Sequence, residues 1–431
     1  MRNSIVCALL LLQSLLFAQE SFVIDTTDFV ERQSFLEKYQ QSNLVLLESL
    51  ETKHEKKVFK ILKKNMEALE KEFSVEINEK NFHFDDRLLG KANEILEEFK
   101  NKNPEVPEHT KILISKNPSL NAFCLPDGTF VLNLGLFYWL ENEDQVASVV
   151  AHEISHKILE HSIKSQLKTI NDDLSGSNKK LVREVKNQKY NRAEKAFDLF
   201  KKSLYATGEL RRKYEFEADS LGYLLLQKTK YNKFEFKETL KLMEKYDTIQ
   251  PMYLIAEDVY KKVFDLPNQP FKEEWMKVED FSAYNYALSK ESLDEDSIST
   301  HPEIDDRIKK LETIYPELKE SKSNAPTEAF KKIEKIAYYN IIPNLIFFED
   351  YGHAIYLCLN RIEKEKDVAL HQKLLGEIFQ KVYQAKKDYK LNRCLERIDP
   401  QNHTNSYIQF LSFMWNLNLG EIKNVAEYYN K

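Results

Sequence analysis

Ala151-His152-Glu153-Ile154-Ser155-His156 is the stretch on which the reading of this chain turns. Its two imidazoles stand four residues apart, and on a helix such residues share one face. His152 and His156 can therefore reach one metal ion, with Glu153 beside them to take a proton from water. The rival reading is a surface helix that carries two histidines by chance. The neighbours Val146, Val149, Val150, Ile154, Ile158 and Leu159 speak against it, because they predict a buried helix. Buried polar side chains need partners, and one zinc ion per chain would supply most of them. The start of the helix is also legible. Asn142 is a capping residue, Gln145 follows three positions later, and Glu143 and Asp144 suit the positive end of the helix dipole.

Working outward, the preceding segment predicts a small sheet. Strands are expected at 111–115, 121–125 and 130–134, with Pro126-Asp127-Gly128 as a turn. One or two amphipathic helices are expected over 27–73, and another over 85–99. Residues 164–205 are strongly charged and read as a helical insertion, either a solvated excursion or a lid. A helix is expected over 208–228, a linker at 321–327, and helices from 328 onward. The segment from Tyr351 to Tyr356 faintly resembles a tetratricopeptide helix, but no clean repeat period emerges. The expected class is α+β, mostly helical. The expected division is a signal peptide over 1–18, N-terminal helices over 19–79, a catalytic domain over 80–320 and a helical domain over 328–431.

The 431 residues allow two or three domains. The net charge of −6 is spread with both signs interleaved, which gives no basis for a nucleic-acid partner. Arg2 and the apolar run over 5–17, ending near Ala18, read as a secretory signal. An uncleaved anchor is the rival, although the run is shorter than the ~20 residues a span needs. Cys7 lies in that run. The remaining Cys124, Cys358 and Cys394 are an odd number, so either one bridge joins Cys358 to Cys394 or the thiols stay separate.

A catalytic zinc site needs a third protein ligand and an open position. Tyr214-Glu215-Phe216-Glu217-Ala218-Asp219 offers it. Glu215 and Asp219 share a helix face: Glu215 can bind the metal, and Asp219 can fix a ligand histidine by accepting its far N–H. Glu217 points about 160° from Asp219 on the wheel and reads as a solvated acid. Ala218 and Gly222 are small enough for close helix packing.

Taken in order, Asn121-Ala122-Phe123, Gly128, Gly135-Leu136, the His152–His156 motif, Glu215 to Asp219, and Thr300-His301-Pro302 with Arg307 resemble the M48 family of zinc metalloendopeptidases over about residues 80–315. The chain is similar to its soluble periplasmic branch. The resemblance implies a gluzincin-type domain in which His152, His156 and Glu215 bind zinc, Glu153 is the catalytic base and Asp219 supports a ligand. It also implies that the strand Asn121, Ala122, Phe123 pairs with substrate backbone. His301 and Arg307 would lie near the metal, stabilising the oxyanion, or His301 would block the open position at rest. His161 matches a family position but reads as structural. Cys124 and the 164–205 insertion depart from the pattern. The expected function is a secreted, periplasmic or envelope-associated zinc endopeptidase. Its expected substrates are unfolded or misassembled envelope proteins, and its setting allows attachment at a membrane surface. The alternative is an assembly or binding factor that holds client proteins through its C-terminal helices.

Overall fold

The computed structural model describes residues 22, 24, 26–173, 208–246, 251, 253–278, 304–400 and 402–431. The expected leader at 1–18, residues 174–205 of the expected insertion, and His301 lie outside the described residues. Among the described residues no helix is long and apolar enough to cross a membrane. The chain divides into two compact units: Met1–Met243 with Leu293–Ile341, and Glu244–Ser292 with Ile342–Lys431. The helical segment expected from 328 onward is thus joined by an earlier stretch, and the division falls after Ile341 rather than at the loop over 321–327.

In the first unit, α1 (Phe29–Glu51) and α2 (Lys56–Asn78) resolve the expected pair of helices. Phe59, Leu62, Met66, Leu69, Phe73 and Ile77 recur every three or four residues along α2 and are buried. Phe73 and Tyr39 join Phe82, Leu113, Phe123 and Val131 in one core cluster. Helix α3 (Asp86–Lys102) begins where the Asp85 side chain accepts from the Arg87 N–H at 2.9 Å.

The sheet contains β1 (Phe82–His83), β2 (Lys111–Ser115), β3 (Ala122–Cys124) and β4 (Thr129–Asn133), in the order β1-β2-β4-β3. β4 is buried at every position and holds the sheet together. It runs parallel to β2, with Leu113 opposite Val131, and antiparallel to β3, with Phe123 opposite the same valine. β3 is therefore an edge strand. The turn between them needs Gly128 at φ +95°, a conformation that suits glycine. Asp127 closes the turn by accepting from the Thr129 N–H at 3.0 Å, and it also takes Lys111 at 2.9 Å and Ser42 of α1 at 2.7 Å.

Helix α4 (Leu134–Trp139) is seated tightly. A methyl group on Gly135 would lie 2.2 Å from the carbonyl oxygens of Pro118 and Ser119, which are backbone and cannot rotate away. Gly135→Ala should destabilise the fold by about 3 kcal/mol, the upper end of ordinary overpacking. A denaturant melt with an unchanged midpoint would refute this.

Helix α5 (Glu143–Ile158) carries the histidine motif. Asn142 caps it as expected, accepting from the Gln145 N–H at 3.0 Å. Around it lie α6 (His161–Asp173), α7 (Gly208–Gln227), α8 (Glu235–Tyr246) and α9 (Ile304–Ile314). Gly222 lets α7 press on α5: a Cβ there would stand 3.2 Å from the Ala151 carbonyl. Buried Glu235, the first residue of α8, gathers several donors. Asn142 donates to it at 2.9 Å, Gln145 at 3.0 Å and the Asn324 N–H at 2.8 Å. Asn324 in turn donates to Asp144 at 2.7 Å. The loop over 321–327 is therefore fastened to the start of α5.

The second unit is helical, with Glu257–Phe264, Tyr351–Glu363, Val368–Lys387, Asn405–Asn416 and Leu419–Tyr429. Aromatic rings fill its core: Phe413 lies 4.7 Å from Phe264 and 5.0 Å from Tyr260. Asn418 and Glu421 form a reciprocal capping box. Cys124, Cys358 and Cys394 are buried thiols outside any disulfide, so the alternative of a Cys358–Cys394 bridge is not realised.

Candidate metal centre

Two helices supply the centre. α5 presents His152 and His156 from one face, and α7, held close by Gly222, presents Glu215 and Asp219 from another. His152 Nε2 lies 3.0 Å from His156 Nε2 and 3.4 Å from Glu215 Oε2. His156 Nε2 lies 3.6 Å from Glu215 Oε1. Among the described residues these three form the candidate metal group.

The donor set fits zinc. Tetrahedral sites with bonds of about 2.0–2.1 Å hold their donors roughly 3.3 Å apart, and the three separations bracket that value. The tautomers agree. His152 Nδ1 lies 3.0 Å from Asp219 Oδ1. A carboxylate only accepts, so Nδ1 carries the proton when the ring is neutral, and Nε2 is left as a lone pair toward His156 and Glu215. Lone pairs and a carboxylate packed this closely require a positive charge among them. Without a metal a proton serves: burial lowers the His152 pKa, but Asp219 and Glu215 outweigh it and lift it to about 9.

Arg307 closes the centre from α9. It donates from Nε to Asp219 Oδ2 at 2.7 Å and from Nη2 to Oδ1 at 2.6 Å, and its Nη1 stands 3.4 Å from Glu215 Oε2. Burial works against the Asp219 charge, yet the Arg307 guanidinium holds that carboxyl below the usual range. Arg307 thus addresses the acids behind and beside the metal position, with its strongest bonds to Asp219.

Glu153 is 6% exposed and follows His152 on α5. It lines a cleft with Asn121, Ala122, Val149, Phe236, Leu240, Met243 and Arg307. Asn121 and Ala122 therefore meet the cleft at the β3 edge of the sheet, whereas the Phe123 side chain belongs to the core. The wall from α8 was not anticipated. Phe236, Leu240 and Met243 recur at helical spacing, which reads equally well as ordinary core.

His161 and Glu217 also stand differently from expectation. The helix ends at Ile158, and Glu160 adopts φ +53°. That left-handed residue folds the chain back, so His161 Nδ1 comes within 3.0 Å of His156 Nδ1. Glu217 is half exposed, but its Oε2 lies 3.1 Å from His161 Nε2. The helical wheel misplaces His161 because it assumes an unbroken helix.

Comparison with known proteins agrees with this geometry. The chain is 37% identical over 51 residues to the mitochondrial metalloendopeptidase OMA1 of Arabidopsis thaliana, which is 12% of this chain and 10% of that protein. It is 37% identical over 75 residues to the beta-barrel assembly-enhancing protease of Escherichia coli strain K12, covering 17% of this chain and 13% of the relative. The corresponding protease of Yersinia pestis is 36% identical over 75 residues. The matched stretches are thus short parts of these relatives. The model of peptidase family M48 matches residues 88–315, more than half of the chain and all of the centre from α5 to Arg307. On that match this chain belongs to peptidase family M48.

Proposed function

We propose that this chain is a zinc metalloendopeptidase that hydrolyses peptide bonds in extended segments of protein substrates. The observation that carries the reading is the convergence of His152, His156 and Glu215 at tetrahedral spacing beside a cleft lined by Glu153. A zinc ion held by those three would polarise the scissile carbonyl and lower the pKa of water.

The chain's own residues supply the rest. Glu153 takes the proton from the attacking water and passes it to the leaving amine. Asp219 keeps the proton of His152 on Nδ1, so that Nε2 stays available. Arg307 is a positioning residue that holds Asp219 charged and in place. The outer edge of β3 at Asn121 and Ala122 accepts substrate backbone as an added strand, beside the cleft. The resemblance also gives His301 a part near the metal.

We further propose that the enzyme acts in the cell envelope on unfolded or misassembled proteins. The signal-like run over 5–17 supports the location. The name of the Escherichia coli relative, a beta-barrel assembly-enhancing protease, supports the substrate class.

Metal analysis together with degradation of an unfolded casein tests the activity. One zinc per chain is expected, with proteolysis abolished by a chelator and restored by stoichiometric zinc. Metal-free protein as purified, or proteolysis indifferent to chelation, would overturn the assignment.

A further inference from the structure

We propose that His161 and Glu217 form a positioning relay, in which a solvent-facing carboxylate fixes the tautomer of the ligand His156 through a buried imidazole. The proposal rests on the reading that His152, His156 and Glu215 hold zinc.

The proton accounting starts at Glu217. Its carboxylate only accepts, so the His161 Nε2 facing it at 3.1 Å carries a hydrogen. The neutral His161 ring then has a lone pair on Nδ1. That atom lies 3.0 Å from His156 Nδ1, which must be the donor. With its proton on Nδ1, His156 presents a bare Nε2 toward His152 and Glu215. The opposite assignment fails twice. It would set an unprotonated His161 nitrogen against the Glu217 carboxylate, and it would point an N–H of His156 into the metal position.

The packing fixes the geometry as well as the proton. His161 is fully buried, and the Tyr214 ring stacks on it at 4.1 Å between centroids, 11° from parallel. The left-handed Glu160 turns the chain so that the first residue of α6 faces back onto α5. α7 therefore backs each ligand imidazole: Asp219 directly behind His152, and Glu217 behind His156 through one intervening ring. Partners at this remove typically change metal affinity 10–100-fold when lost.

The test uses the full chain, stripped of metal, with Zn²⁺ affinity measured by competition against a chromophoric chelator and the visible spectrum of bound Co²⁺ as a second readout. His161→Phe keeps a ring on Tyr214 but removes the acceptor, and should weaken zinc binding roughly 10–100-fold. His161→Gln restores an amide oxygen for His156 and an amide N–H for Glu217, and should recover most of that affinity. Glu217→Leu changes a half-exposed position and should weaken binding several-fold, with Glu217→Gln closer to wild type. The metal-free melting temperature of each variant should not track its zinc affinity. Equal zinc affinity in wild type, His161→Phe and Glu217→Leu overturns the relay while leaving the zinc reading intact. Equal weakness of the Phe and Gln variants also overturns it. A wild-type chain that takes up no zinc overturns both.

Discussion

Glu153→Gln should keep one zinc per chain, melt at or above the wild-type temperature, and lose proteolysis by roughly 10²–10⁴-fold, the range a general base contributes. The carboxylate is 6% exposed, next to His152, with α8 and the edge of β3 across the cleft. An amide of the same shape fills the same space but cannot take a proton. Keeping that shape at a nearly buried position is why stability should not fall. The measurement is turnover of an unfolded substrate by the two proteins side by side at matched metal content. Equal rates would remove Glu153 from the chemistry. A chain that mainly holds client proteins, the alternative raised by its second helical unit, would keep its cellular role after this substitution.

Arg307→Ala should destabilise the metal-free fold by about 3–5 kcal/mol. The guanidinium is 2% exposed and makes two short bonds to Asp219, with Glu215 beside it. Burial opposes its charge, but the two carboxylates outweigh that and raise its pKa above the ordinary value. Truncation leaves two buried acids with only the His152 ring between them to carry a compensating charge. Zinc should reduce the loss, since it neutralises the same acids. Paired denaturant melts with and without zinc check this. A metal-free loss under about 1 kcal/mol, the scale of a surface pair, would show that the pairing matters little.

Much of the centre was readable from residue spacing. The His152–His156 pair needs only the helical period, and the Asn142 cap fixes where that helix starts. Glu215 and Asp219 were found because four-residue spacing and two small residues, Ala218 and Gly222, announce a helix face meant to touch another. The strand at 111–115 is read in full, and those at 121–125 and 130–134 come within a residue or two of β3 and β4. β1 escaped, because two residues carry no period. His161 escaped for a different reason: periodic reasoning runs on past Ile158, whereas the backbone reverses at Glu160. The grouping of 244–292 with 342–431 arises from contacts distant in sequence, which leave no local mark. The loop over 321–327 has the composition of a linker, yet the carboxylate that fastens it, Glu235, lies almost ninety residues earlier.

That buried carboxylate has a mechanical consequence. Glu235 rivets the first turn of α8 to the first turn of α5, the helix that carries His152 and His156. The two helices that face the cleft therefore share an anchor at one end. Lys237 adds a second tie farther along α8, donating to the Leu318 carbonyl and to Glu312 at 3.3 Å, so this wall of the cleft is held at more than one point.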